Sequence, residues 1–271
     1  MKGISYMKVY EMFDNDQGLS VGCLLYYEKE RSFIIELDDA LDEWSAPLIF
    51  SNMVKEGRFT ASREQSALWV KERIVPNDRQ NIDSILVNAK LHEYDEFALL
   101  VQSRGASSQD YIRVRELPEP FDYVKERMKH NISECVTCQD NSLLLFFNDE
   151  TVRKVQIDEC LSCSGVDKVI ANEDLFMSGH VAAGGYCVTF NDSIDIPAIY
   201  LYEKGVGVPL TMENFISFVK MNIVDSSGAC ELLECSRQNL QYLTAKEHIT
   251  PIKTNMKGNL YLKGRLITSR R

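Results

Sequence analysis

The chain has 271 residues and a net charge of −10, with 45% hydrophobic and 26% charged residues. This composition is typical of a soluble globular protein, and the length allows two or three domains. No apolar stretch is long enough to span a bilayer, and residues 1–16 lack the apolar run of a signal peptide. We therefore expect a cytoplasmic protein with no membrane association, in which the cysteines are free thiols.

The negative charge is unevenly distributed. Ser226 to Arg271 contains eight basic and three acidic residues, a net of +5, whereas the rest contains 22 basic and 37 acidic residues, a net of −15. A basic segment on an acidic body is typical of a small DNA-contacting domain joined to a regulatory or partner-binding body.

In chain order, the first elements are strands, predicted from alternating apolar residues at 8–13, 20–27 and 32–37. The sequence Ser62-Arg-Glu-Gln is a capping box that opens a helix through Lys71. Apolar residues spaced from Ile82 to Ala89 predict a second helix that begins near Asp78 or Arg79. A third helix is predicted through Phe97, Leu100 and Val101, and it ends near Arg104-Gly105.

The strings APLIF (46–50), IVPNDRQNIDSIL (74–86) and YDEFALLVQSRGASSQD (94–110) lie in this region. Between residues 9 and 114 the chain resembles the amino-terminal subdomain of HipA-type toxin kinases. The resemblance implies an accessory subdomain and, as partner, a HipA-like toxin kinase. The sequence has no phosphate-cradling glycine-rich loop and no His-Arg-Asp catalytic run, so we predict that the chain is not an enzyme.

The next segment begins with a predicted linker at 117–121 and a short helix at 123–130. Two hairpins follow, 142–147 with 151–157 and 178–182 with 186–190. The strings SLLLFFNDETVRKVQID (142–158) and GYCVTFNDSIDIPAIYLYE (185–203) resemble a small bacterial domain family found in toxin–antitoxin loci, which implies an antitoxin-like domain. Asp192 and Asp195 could form an acidic site, but a turn or helix-cap role for Asp195 is favoured.

The same segment contains two Cys-x-x-Cys pairs, Cys135 with Cys138 and Cys160 with Cys163. This spacing is compatible with a four-thiolate zinc site at the base of the first hairpin. Cysteine is also an ordinary small buried residue, and the knuckle glycines of zinc ribbons are missing. We predict no metal and no cofactor, with zinc as the alternative.

The carboxy-terminal part begins with an amphipathic helix predicted through Met212, Phe215, Ile216 and Val219, which could pack on either neighbouring segment or dimerise. Two short helices follow. The first is predicted to be capped by Ser227 and to bury Cys230, Leu232 and Leu233, and the second to be capped by Ser236 and to bury Leu240 and Leu243. The spacing of Cys230 and Leu240 fits a helix-turn-helix.

The pattern AxELLxxSRQNL from Ala229 to Leu240 continues through ITPIK (249–253) and NLYLKG (259–264). It resembles the excisionase and MerR-type winged helix-turn-helix family, which implies double-stranded DNA as a ligand. Glu234 stands where that family usually has glycine, so the turn could be built differently or the first helix could run on. Two ordinary core helices on an edge hairpin are the alternative.

The sequence thus predicts an α+β fold with three domains: a β-hairpin-rich domain with helices (1–120), a small β-rich domain (121–210) and a winged helix-turn-helix (211–271). We expect a homodimeric DNA-binding regulator of antitoxin type that autoregulates its operon. The alternative is an interaction antitoxin that silences a HipA-like kinase. The predicted DNA contacts fall into three groups: base-reading residues Arg237, Gln238, Asn239 and Gln241; phosphate contacts Lys246, Lys253, Lys257, Lys263 and Arg265; and supporting residues Ser236, Tyr242 and Tyr261, the last holding the wing.

Overall fold

We describe the chain from a computed structural model, which covers residues 7–210, 212–254 and 259–270. The described residues form helices and antiparallel sheets, so the predicted α+β class is confirmed. The chain divides into two compact units, Met1–Arg127 and Met128–Arg271. Within the described residues, no helix is both long and apolar enough to cross a bilayer.

The first unit is built on one four-stranded antiparallel sheet with the order β3-β2-β1-β4. Its strands are β1 (Met7–Asp14), β2 (Leu19–Tyr27), β3 (Ser32–Leu37) and β4 (Ile112–Leu117). The three predicted strands are confirmed to within a residue, and β4 was not predicted. The helices are α1 (Ser51–Lys55), α2 (Arg63–Lys71), α3 (Ile82–Asn88), α4 (Glu96–Ser103) and α5 (Asp122–Arg127).

Helices α2 and α4 pack their apolar faces into the core beside the sheet, and capping residues define where each helix begins or ends. Ser62 and Gln65 form the predicted capping box at the start of α2, which buries Trp69 completely. Helix α4 buries Leu100, and the residue that caps its end, Arg104, is left-handed with a φ of 53°. The residues of 117–121, predicted as a linker, lie inside this unit.

Helix α3 differs from its prediction. It begins at Ile82 with Asn81 as the cap residue, rather than near Asp78 or Arg79. No residue of α3 is buried. Residues 79–81 form turns, because the amide of Ile82 bonds the carbonyl of Arg79. The apolar spacing therefore predicted the helix correctly but not its first turn.

The second unit begins with two sheets, of order β11-β7-β6-β5 and β10-β9-β8. Both predicted hairpins are present, and so is the helical segment before them, which continues from α5 into a 3-10 turn at Met128–His130. The elements are β5 (Ile132–Thr137), β6 (Ser142–Phe147), β7 (Val152–Gln156), α6 (Val166–Ile170), α7 (Glu173–Met177), β8 (His180–Val181), β9 (Cys187–Phe190), β10 (Ile194–Pro197), α8 (Ala198–Lys204) and β11 (Val206–Gly207).

The turn between β8 and β9 lies against β5. Gly185 has a φ of 78°, and a Cβ at this position would lie 2.3 Å from the carbonyl oxygen of Ile132. The Asn131 side chain donates to the carbonyl of neighbouring Gly184 over 2.9 Å. Only glycine satisfies both the left-handed backbone and the close approach of another chain segment. This contact joins the two sheets beside a core that includes Phe190 and Val188.

The carboxy-terminal elements belong to the same unit. They are α9 (Met212–Asn222), β12 (Ile223–Val224), α10 (Ser226–Leu233), α11 (Arg237–Ala245), β13 (Tyr261–Leu262) and α12 (Lys263–Arg270). Helix α9 contacts the β5–β6 sheet, where the rings of Phe218 and Phe146 lie 5.1 Å apart. The division into separate domains 121–210 and 211–271 stays a prediction.

Candidate nucleic-acid interface

Helices α10 and α11 are joined by a tight turn. Helix α10 ends at Leu233, and Glu234 adopts the left-handed conformation with a φ of 50°. The amide of Glu234 donates to the carbonyl of Glu231 over 3.2 Å, and that of Cys235 to the carbonyl of Cys230 over 3.0 Å. This pair of bonds defines a Schellman turn. The chain therefore turns at Glu234 without glycine, and the first helix does not run on.

The two helix starts are capped by side chains. The Oδ1 atom of Asp225 accepts from the amide of Gly228 over 2.8 Å, so Asp225 caps α10 and the predicted cap Ser227 does not. Ser227 instead accepts from the Arg237 guanidinium over 3.1 Å. Ser236 caps α11 as predicted, since its Oγ accepts from the amide of Asn239 over 3.2 Å. Asp225 precedes the stretch that resembled the family, which is why the sequence pattern missed it.

The buried residues of α10 and α11 also differ from the prediction. Ala229 is fully buried, whereas Cys230, Leu232, Leu233 and Leu243 are only partly buried. The small core of this segment consists of Ala229, Leu240, Ile249, Tyr261 and Leu266. Ala229 and Leu240 share this core, and the small alanine side chain lets α11 pack closely on α10.

We expect Glu234→Gly to stabilise the chain. A side chain at a left-handed φ costs about 1 kcal/mol, and glycine removes that cost, offset in part by the greater freedom of the unfolded chain. The free energy of unfolding from urea titration should rise by about 0.5 kcal/mol. Glu231→Gly, inside α10, is the matched control and should lower it by about 1 kcal/mol. A loss of stability in Glu234→Gly would show that the side chain makes a stronger contact than the turn costs.

The outer face of α11 is polar and exposed. Seven of the predicted contact residues lie on it or at its ends, and all are exposed: Ser236, Arg237, Gln238, Asn239, Gln241, Tyr242 and Lys246. The buried side chain of Leu240 turns this face away from the core. The bond from Arg237 to Ser227 holds the guanidinium at the start of the helix. The predicted base-reading residues are thus all exposed on one helix.

The remaining predicted contacts are distributed differently. Lys253 is exposed and forms an isolated bridge with Leu260, whereas Lys257 lies outside the described residues. Lys263 and Arg265 were predicted as phosphate contacts in the wing, but they belong to helix α12. The strand before them, β13, pairs with β12, and the preceding residue Leu260 pairs with Lys253 in the segment after α11.

Tyr261 cannot contact DNA directly, because it is 2% exposed. Its hydroxyl accepts from the Asn259 amide over 3.2 Å and lies 3.4 Å from the Thr244 hydroxyl. The contact with Thr244 connects the end of α11 to β13. This position fits the predicted role of Tyr261 in holding the wing. Its inclusion among the residues that contact DNA was wrong, because the side chain is buried.

The start of α12 lies beside a carboxylate of β5. A Cβ at Gly264 would lie 2.6 Å from Oε2 of Glu134. Burial raises the pKa of Glu134 to about 7, although the nearby Arg265 charge lowers it. No local sequence pattern predicted this contact, because Glu134 and Gly264 are far apart in the chain.

The four cysteines of the Cys-x-x-Cys pairs do not form a thiolate cluster. Cys135 lies on β5 and pairs across the sheet with Leu145, while Cys160 ends a 3-10 turn after β7. Burial raises the pKa of both thiols, that of Cys160 to about 12. Within residues 7–210, 212–254 and 259–270, no three His, Cys, Asp or Glu side chains are placed to hold a metal ion.

The two aspartates considered as an acidic site, Asp192 and Asp195, lie in different parts of one hairpin. Asp195 lies within β10 and pairs with Thr189, so it is neither a turn residue nor a cap. Asp192 is in the turn between β9 and β10 with a φ of 53°, and its Oδ1 lies 3.3 Å from Nε2 of His180. Both residues are therefore part of the β9–β10 hairpin, Asp195 in its second strand and Asp192 in its turn.

No family model, curated protein or solved structure matches the chain.

Proposed function

We propose that the chain is a DNA-binding transcriptional regulator of antitoxin type, which autoregulates its own operon. The observation that carries this proposal is the exposed polar face of α11, fixed at its first turn by the Ser236 cap and the bond from Arg237 to Ser227. Arginine, glutamine and asparagine are the side chains that pair bidentately with guanine and adenine. A rigid helix with these residues in its first turn has the properties of a recognition helix.

The charge distribution supports the same proposal. The segment from Ser226 to Arg271 has a net charge of +5 on a chain of −10. Phosphate contacts supply most of the affinity of such proteins, and an acidic body directs DNA to the basic segment. In this proposal α10, α11 and the segment through β13 act as a winged helix-turn-helix, with α11 in the major groove and Lys246 and Lys253 on phosphates. A homodimer would supply the second half-site contact.

We expect Arg237→Ala to weaken binding to the DNA upstream of the chain's own gene by about 1–3 kcal/mol, roughly 5- to 150-fold, and to relax selection at one base pair. The reason is the loss of the bidentate guanidinium at the start of α11. Affinity is measured by fluorescence anisotropy on the upstream duplex and on a scrambled duplex of equal length. Equal loss on both duplexes would show that Arg237 contacts only the backbone.

Lys253→Ala is expected to act differently. Because an exposed lysine binds phosphate as a point charge, its loss should weaken the upstream and the scrambled duplex to a similar extent. The slope of log affinity against log salt should fall by about 1. Lys168→Ala, which changes an exposed lysine of α6, is the matched control and should leave the slope unchanged. An unchanged slope in Lys253→Ala would remove this residue from the interface.

A second function, the binding of a toxin kinase, is favoured by one surface of the first unit. Trp44 is 86% exposed and Leu48 is 92% exposed. The turn that carries Trp44 is rigid, because Asp42 accepts from the amides of Trp44 and Ser45 over 3.0 and 2.8 Å. Large exposed side chains on an ordered turn are typical of interaction anchors.

The charges around this surface indicate the kind of partner. From Asp38 to Leu48 there are four acidic residues and no basic residue. We therefore propose that Trp44 and Leu48 insert into an apolar pocket with a basic rim, on a HipA-like kinase encoded beside this gene. Pull-down from co-expression of the full chain with that kinase tests this. Trp44→Ala should abolish the complex and Leu19→Ala, an exposed apolar residue of β2, should not. Retention of the complex in Trp44→Ala would exclude this surface.

A further inference from the structure

The Schellman turn brings two thiols together. Cys230 lies in the last turn of α10, and Cys235 directly follows the left-handed Glu234. The amide of Cys235 donates to the carbonyl of Cys230 over 3.0 Å, which places the two residues at the first and last positions of the Schellman turn. In such turns the side chains of these two positions usually make an apolar contact. Here both side chains are cysteine.

We propose that Cys230 and Cys235 form a redox-active dithiol, which a peroxide converts into an intramolecular disulfide. One thiolate attacks a peroxide oxygen, the O–O bond breaks and water leaves, so that a sulfenic acid forms. The second thiol then attacks this sulfur and displaces a second water, which closes the S–S bond. Two thiols and one hydrogen peroxide thus give one disulfide and two waters.

The backbone bond between the two residues favours this reaction. A disulfide needs Cα atoms about 4.4–6.8 Å apart and sulfurs about 2.05 Å apart. The backbone bond holds the two residues close together, so only the side chains and the turn have to adjust. Neither thiol is fully buried, which leaves access for a small oxidant. Burial, and then contact with Cys230, raises the pKa of Cys235, so the reduced pair reacts slowly at neutral pH.

The position of the pair couples its oxidation to α11. Cys235 immediately precedes Ser236, whose hydroxyl caps that helix. Helix α10 is anchored by the buried Ala229, so closure of the disulfide draws the start of α11 toward α10. This step rests on the proposed DNA-binding function. Since a displacement of about 1 Å is enough to misplace a bidentate contact, we expect the affinity for the upstream DNA to fall at least about tenfold.

The chemistry is tested on the full chain without DNA. The protein is treated with hydrogen peroxide, alkylated and digested with trypsin. The peptide 221–237 contains Cys230 and Cys235 and no other cysteine, whereas the Cys-x-x-Cys pairs fall in 130–153 and 155–168. We expect 221–237 to lose about 2 Da and to escape alkylation. Full alkylation of this peptide, or disulfides only in the other two peptides, would overturn the proposal.

The coupling is tested by anisotropy on the same samples. Oxidation should weaken DNA binding of the wild type, and dithiothreitol should restore it. Cys235→Ser, confirmed as folded by circular dichroism, should bind DNA as the reduced wild type does, and peroxide should not change its affinity. Cys230→Ser removes the other thiol of the pair and should behave in the same way. A disulfide with unchanged affinity would refute the coupling alone. A chain that binds no DNA in either state would refute the proposed function, while the peptide result still decides the dithiol.

Discussion

Gly185→Ala is expected to lower the free energy of unfolding of the second unit by about 3 kcal/mol or more. Two costs combine at this position. The backbone φ of 78° disfavours any side chain, and the new Cβ would lie 2.3 Å from the Ile132 carbonyl oxygen and 3.0 Å from the Ile132 amide nitrogen. These are backbone atoms of β5, so the conflict can be relieved only by moving the turn away from the sheet.

Urea unfolding followed by circular dichroism measures this loss. Both tryptophans, Trp44 and Trp69, belong to the first unit, so their fluorescence provides an internal reference for that unit. Gly207→Ala is the matched control in the second unit, because a Cβ there would meet nothing within 4 Å. If the Gly185→Ala protein were as stable as this control, the turn would not pack against β5 in solution.

Glu134→Gln is expected to stabilise the chain by about 2–3 kcal/mol above pH 7, and little below pH 4.5. The pKa of Glu134 is about 7 in the folded chain against 4.5 for an ordinary glutamate. Because the folded pKa is raised, the neutral carboxyl contributes stability that is complete below pH 4.5 and is lost as the pH rises through 7. Glutamine has the shape of the neutral acid and no charge to bury.

The measurement is the free energy of unfolding of wild type and variant at half-unit steps from pH 4.5 to 8. Their difference should grow across this window, since the other titrating groups cancel. Glu203→Gln, an exposed carboxylate on α8, serves as the control and should give a flat difference. A flat difference for Glu134→Gln as well would mean that Arg265 compensates the buried charge completely.

Local patterns in the sequence predicted much of the fold. Alternation placed β1, β2 and β3, and the capping box placed α2, because these signals arise from residues within a few positions of one another. The sequence missed β4 and β10, whose strand character depends on partners elsewhere in the chain. It also predicted Lys263 and Arg265 as part of the wing, where helix α12 begins.

The candidate interface was predicted in part for the same reason. The Ser236 cap and the exposed row on α11 follow from helical spacing and were predicted. The pairing of Ser227 with Arg237 was not, because a serine near a helix start has the same sequence signal whether it caps the helix or binds an arginine. The burial of Tyr261 and the contact of Glu134 with α12 depend on tertiary packing, which no local pattern encodes.

The shortness of the exposed row on α11 limits how much sequence information one copy can extract. From Arg237 to Gln241 the helix rises about 6 Å, which spans about two base-pair steps and hence three base pairs. Each fully read base pair carries about 2 bits, so one copy reads about 6 bits and a pair about 12. Selecting one address among the ~10⁶ or more competing sites of a genome takes about 20 bits. An operator for this chain is therefore expected to contain several copies of a short half-site. Alternatively, the sequence-dependent stiffness of the DNA between two half-sites would supply the remaining specificity.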